Sequence, residues 1–85
     1  MKFMLKMWRY PLGKLPILSG KDICQILKKH DFSEVRRRGS HIVMQRILFN
    51  TTITVPVPDH KEIRIGTLLS IIRQSGLQRS DFELK

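Results

Sequence analysis

With 85 residues, the chain is long enough for one compact domain and too short for two; a domain this size buries only about 60–65% of its unfolded surface, so deep enclosed pockets are not expected. Apolar residues make up 41% of the chain, which excludes a disordered polymer, and sixteen Lys and Arg against seven Asp and Glu give a formal net charge of +9. Such a surface excludes indifference to polyanions and points to nucleic acid, an anionic membrane or an acidic protein as partner.

Residues 1–13 carry Lys2, Lys6 and Arg9 among apolar residues, and no clean apolar run or small-residue cleavage site follows. They read as an N-terminal extension, with Phe3, Leu5 and Trp8 available to dock on the domain, and Pro11 and Gly13 ending it. The domain proper is expected over 14–85. No stretch has the length needed to span a bilayer, and Pro11 and Gly13 would keep any membrane-surface helix short, so no membrane partner is expected.

Ser19 followed by Asp22 predicts a capped helix start. Ile23, Ile26 and Leu27 form one apolar stripe, and Lys28, Lys29 and His30 place positive charge in the last turn. The first helix is expected over about 20–30. Cys24, the single cysteine, falls on its apolar side as a small hydrophobe. One cysteine permits no intrachain disulfide and fits a cytosolic protein.

Two strands are expected next, from Phe32 to Arg38 and from His41 to Phe49, joined by a tight turn at Gly39-Ser40. Asn50-Thr51 marks a second turn. In Thr52-Ile-Thr-Val-Pro-Val, alternation puts Ile53, Val55 and Val57 on one face and Thr52 and Thr54 on the other. Pro56 and Pro58 end this third strand or place it on a sheet edge. Ile65, Leu68, Leu69 and Ile72 then predict a second amphipathic helix opened by Gly66 or Thr67 and stopped at Gly76, with Leu77 as hydrophobic partner of the stop. Ser80 and Glu83 predict a capping box on one last turn. The fold class is α+β in the order α-β-β-β-α, that of the double-stranded-RNA-binding domain: a three-stranded antiparallel sheet, with both helices on one face and the other open.

The basic residues cluster. Arg36, Arg37 and Arg38 run into Gly39-Ser40-His41; Arg46 follows on the next strand, and Lys61 and Arg64 precede the second helix. Arginine forks bind phosphate in pairs of hydrogen bonds, and the turn adds backbone N–H groups, so this tip reads as a phosphate cradle. The competing reading is a solvated, charged edge that guards against aggregation. Of the three histidines, His30 at a helix end reads as structural and His60 as a solvated loop side chain. His41 stands directly after the arginine run. RNA cleavage needs a group to take the ribose 2′-OH proton, and an imidazole, with an unperturbed pKa of about 6.5, can accept or donate it. The residues alone leave His41 balanced between that role and a packed strand side chain. There is no Gly-rich phosphate loop and no zinc spacing, and the carboxylates show no two-metal arrangement, so no metal and no cofactor are expected.

Leu18-Ser-Gly-Lys-Asp22, Arg38-Gly-Ser-His41, Val55-Pro-Val57, Ile65-Gly-Thr-Leu68, Ile72-Arg-Gln74 and Gly76-Leu77 together resemble the HicA toxins of bacterial type II toxin–antitoxin systems. The resemblance covers roughly residues 14–82. It implies a double-stranded-RNA-binding fold, ribosome-independent cleavage of mRNA, His41 as the catalytic residue and a HicB-type antitoxin as partner that blocks the active site. On that reading Lys21, Arg36, Arg37 and Arg38 position phosphates of a single-stranded RNA, and Gly39, Ser40, Arg46, Lys61 and Arg64 complete the contact surface. Two features depart from the family pattern: the N-terminal extension, and the apolar run through Gln45-Arg46-Ile47, where members often have a polar hairpin. The alternative function is a non-catalytic RNA-binding or antitoxin-binding module on the same fold. A weaker one is a membrane-surface or acidic-protein binder driven by residues 1–13.

Overall fold

In the computed structural model, residues 15–83 are described. The expected extension over 1–13, with its docking through Phe3, Leu5 and Trp8, lies outside the described residues. The order is α1 (Gly20–Lys29), β1 (Ser33–Arg38), β2 (His41–Ile47), β3 (Thr52–Pro58), α2 (Ile65–Ser75) and a 3-10 turn (Arg79–Phe82). The α-β-β-β-α order holds. The strands form one antiparallel sheet in the order β1-β2-β3. Among the described residues no helix is long and apolar enough to cross a membrane.

The predicted cap opens α1. Ser19 Oγ accepts from the Asp22 N–H at 3.0 Å, and the Asp22 carboxylate accepts from the Ser19 N–H at 3.0 Å. The backbone N–H of Ser19, and then its hydroxyl, hold the Asp22 carboxyl below its ordinary value. A lowered carboxyl contributes stability that is present above its unfolded pKa and lost as pH falls through the folded one. Independently of this titration, Ser19→Ala removes the N-cap hydroxyl and should cost about 1 kcal/mol. In Asp22→Asn, thermal melts followed down through acid pH should lack this component of acid sensitivity.

The exit from α1 is a Schellman stop, which the sequence does not advertise. Asp31 takes φ 72°, a left-handed position usually given to glycine or asparagine. Its N–H bonds Lys28 O, and the Phe32 N–H bonds Leu27 O at 3.1 Å. Leu27 and Phe32 are both buried, supplying the apolar contact of the motif. His30 caps the helix and lies 3.8 Å from the Asp81 carboxylate, in keeping with a structural role.

The core lies between the sheet and the two helices. Ile42 and Met44 of β2 and Val55 and Val57 of β3 meet Ile23, Cys24 and Leu27 of α1 and Leu68, Ile71 and Ile72 of α2, with Phe32, Ile63 and Phe82 closing the ends. Burial raises the Cys24 thiol above its ordinary range, so it stays protonated as a small hydrophobe. The second helix is turned from its expected phase. Leu68, Ile71, Ile72 and Ser75 are buried, whereas Ile65 is 58% and Leu69 40% exposed. Ser75 is satisfied where it is buried: its hydroxyl donates to Ile72 O at 2.8 Å and accepts from the Leu77 N–H at 3.1 Å. Around Gly76, at φ 75°, that relay replaces the direct Leu77-to-Ile72 bond of the expected stop and brings a polar residue inside. The last turn also differs. Asp81, not Glu83, closes it by accepting from the Gln78 N–H at 2.9 Å, and Glu83 pairs with Arg79 at 3.1 Å.

Candidate active site on the open sheet face

Both helices cover the face of Ile42 and Met44, so the other side of the sheet is uncovered. Strand alternation puts His41, Val43, Gln45 and Ile47 on that side. Their partners on β3 are Pro58, Pro56, Thr54 and Thr52 in the same order. Arg36 pairs with Val43 and Arg38 with His41 from β1.

A bulge decides which arginines reach this face. Ser33 pairs with Gln45 and Glu34 with Met44, but the next partner, Val43, takes Arg36, so Val35 is the extra residue. Regular pairing would have set Val35 against Val43 and Arg37 against His41. One inserted residue reverses the facing of everything after it. Arg36 and Arg38 consequently flank His41 on the open face.

Arg37 goes to the other side, so the expected three-arginine cradle is divided by the pleat. Its guanidinium pairs with the Asp59 carboxylate. Asp59 also donates its N–H to Ser40 O at 2.7 Å, and the neighbouring His60 O accepts from the Gly20 N–H at 2.8 Å. The Gly39-Ser40 turn, the end of β3 and the start of α1 are thus tied together behind His41. The pair is half exposed, and pairs of that kind contribute little. Arg37→Ala should lower stability by less than about 1 kcal/mol in urea denaturation.

Gly39 has φ 59°, as the first central residue of a two-residue type II′ hairpin requires. His41 opens β2 immediately after this turn and is exposed, so it is not a packed strand side chain. With Arg36, Arg38, Val43, Thr54 and Pro56 it lines a shallow groove of about 340 Å³. Val43 is buried and forms the floor although it belongs to no part of the main core. An exposed imidazole beside two guanidinium groups can take a proton from a hydroxyl next to a bound phosphodiester while the arginines hold the phosphate charge. The described residues include no group of three or more His, Cys, Asp or Glu able to hold a metal ion.

The remaining basic residues do not join the groove. Arg46 follows the parity of Ile42 and Met44 and sits opposite Ile53 on the helix side. Lys21 is exposed in the first turn of α1, and Lys61 is exposed in the loop after β3. Arg64 lines a separate depression with His60 and Pro58. Thr54 and Pro56 were not singled out from the sequence, although the outward parity of Thr54 was readable there. Val43 was hidden by its resemblance to a core residue.

A protein-family model described as the HicA toxin of bacterial toxin–antitoxin systems matches residues 20–77, from the first residue of α1 to the end of the α2 stop. No curated protein and no solved structure matches the chain.

Proposed function

The chain belongs to the HicA toxin family and is a toxin of a toxin–antitoxin system, and from that premise we propose that its open sheet face is the active site of a metal-independent endoribonuclease acting on single-stranded mRNA. The observation that carries the reading is the shared groove: His41 is exposed beside Arg36 and Arg38 of the neighbouring strand, on a face where none of the paired positions is a carboxylate.

In this mechanism the scissile phosphate lies over Val43, held by the Arg36 and Arg38 guanidinium groups. His41 takes the proton of the adjacent ribose 2′-OH as that oxygen attacks phosphorus. The bond to the 5′-oxygen breaks and the departing oxygen takes a proton from water, leaving a 2′,3′-cyclic phosphate on one fragment and a free 5′-hydroxyl on the other, and the His41 imidazolium returns its proton to solvent. The arginines stabilise the charge that builds on the phosphoryl oxygens in the transition state. The partner is a HicB-type antitoxin that covers the same face, and the reaction takes place in the cytoplasm, where mRNA is found.

The direct test is incubation of the purified chain with single-stranded RNA in EDTA. Fragments ending in 2′,3′-cyclic phosphate are expected. Cleavage that appears only when a divalent ion is restored would overturn the mechanism. The same preparation separates the arginines. Removing one phosphate contact lowers the salt slope of single-strand binding by about 0.7. Arg38→Gln should do so, and Arg37→Ala should leave the slope unchanged.

A further inference from the structure

The proposed chemistry uses one end of the open face and leaves the other unexplained. Ile47, at the far end of β2, is 82% exposed, and Phe49 in the following turn is fully exposed. Single exposed apolar residues need no explanation. Ile47, however, ends the strand that begins with His41, on the side that His41 occupies, and Phe49 follows two residues later in the turn at the same end of the sheet. Six residue rises separate His41 from Ile47 along the strand, about 20 Å. Between them Gln45 donates its amide to Thr54 Oγ1 at 3.2 Å. The Leu48 N–H bonds Thr51 O at 2.8 Å and closes the turn that presents Phe49.

We propose that this end of the sheet is a base-binding subsite, in which Phe49 stacks on an unpaired base of the RNA strand whose phosphate lies at His41. The inference rests on the endoribonuclease reading and extends its substrate contacts. Along the face the surface changes from guanidinium groups to an amide and hydroxyls, and the turn beyond the end of the strand carries an exposed aromatic ring. A single-stranded RNA offers the matching sequence of groups: phosphates, polar base edges and π-faces. Charge favours RNA over a protein occupant, because the paired residues on this face include two arginines and no carboxylate. The apolar area is also too interrupted for the core of a protein interface, since Gln45, Thr52 and Thr54 surround Ile47. An aromatic ring needs no particular base, so the subsite selects unstacked strand rather than sequence.

The test uses the full chain carrying His41→Ala, which is expected not to cleave, and a twelve-nucleotide single-stranded RNA with 2-aminopurine placed at successive positions. At one position the fluorescence should be quenched on binding. Adding Phe49→Ala should remove that quenching and weaken affinity roughly ten-fold, while Phe49→Trp keeps both. The salt slope should not change, because no phosphate contact is lost. A trinucleotide, too short to span the face, should bind both proteins equally. Thermal melts should coincide, since Phe49 packs on nothing. Unchanged affinity and quenching in Phe49→Ala overturn the subsite, and RNA cleavage by the unsubstituted chain would then leave the endoribonuclease reading intact. Quenching that depends on Phe49 in a chain that cleaves no RNA supports the subsite and overturns the reading. An effect of Phe49→Ala on antitoxin binding or self-association, with RNA binding unaltered, assigns the patch to a protein contact and overturns the subsite.

Discussion

Replacing His41 with alanine should reduce RNA cleavage by at least a hundred-fold while leaving the fold intact. Proton transfer by a positioned side chain contributes typically 10²–10⁴-fold, and no second imidazole lines the groove. The side chain is exposed and contributes nothing to the core, so thermal and urea transitions should stay within the small range of surface substitutions, about 0.5 kcal/mol. In the proposed mechanism Arg36 and Arg38 hold the same phosphate, so their individual substitutions should also slow the reaction but leave its pH profile recognisable. Cleavage rates on a labelled oligonucleotide, and growth arrest on expression, are the measurements. A His41→Ala protein that cleaves at the parental rate would falsify the assignment of the groove as the active site.

Gly20→Ala should destabilise the domain by more than about 3 kcal/mol, against the ordinary direction of such a change. Glycine to alanine in a helix normally stabilises by up to about 1 kcal/mol. Here a Cβ would lie 2.0 Å from Pro58 O and 3.0 Å from Asp59 Cα. Both are backbone atoms, and they are held in place by the bonds from Asp59 to Ser40 and from Gly20 to His60. Overpacking costs about 1–3 kcal/mol where side chains can yield, and more where backbone must move. The displaced segment also anchors the turn before His41, so activity should fall with stability. Gly66 is the control. It lies in the first turn of α2 with open space where its Cβ would be, so Gly66→Ala should stabilise slightly. Equal urea midpoints for the two variants would remove the close approach of α1 to β3 as the explanation.

Much of this architecture is legible from local chemistry. The Ser19–Asp22 box, the Gly39-Ser40 turn, the alternation of β3 and the stop at Gly76 are set by a few neighbouring residues, and each is found where its pattern puts it. Other features lack a local signal. Asp31 ends α1 in a conformation that glycine usually takes, because Phe32 must turn back onto Leu27. The exposed Ile65 and Leu69 match a helical stripe as well as the buried residues do, and packing against the sheet and α1 selects the phase that buries Ile71, with Ser75 satisfied inside its own helix end.

For the candidate site the division is sharper. The basic charge, the sheet with one open face, and a histidine directly after an arginine run and a hairpin turn follow from composition and from short-range periodicity, which neighbouring residues enforce. Which arginines stand beside that histidine depends on pairing across the sheet. Alternation requires Arg36 and Arg38 to share a side and Arg37 to take the other, but it does not say which side faces the helices. The bulge at Val35 makes that choice, and Asp59, distant in the chain, holds Arg37 on the covered side. Strand register depends on pairing across the sheet, and no local pattern in β1 records it.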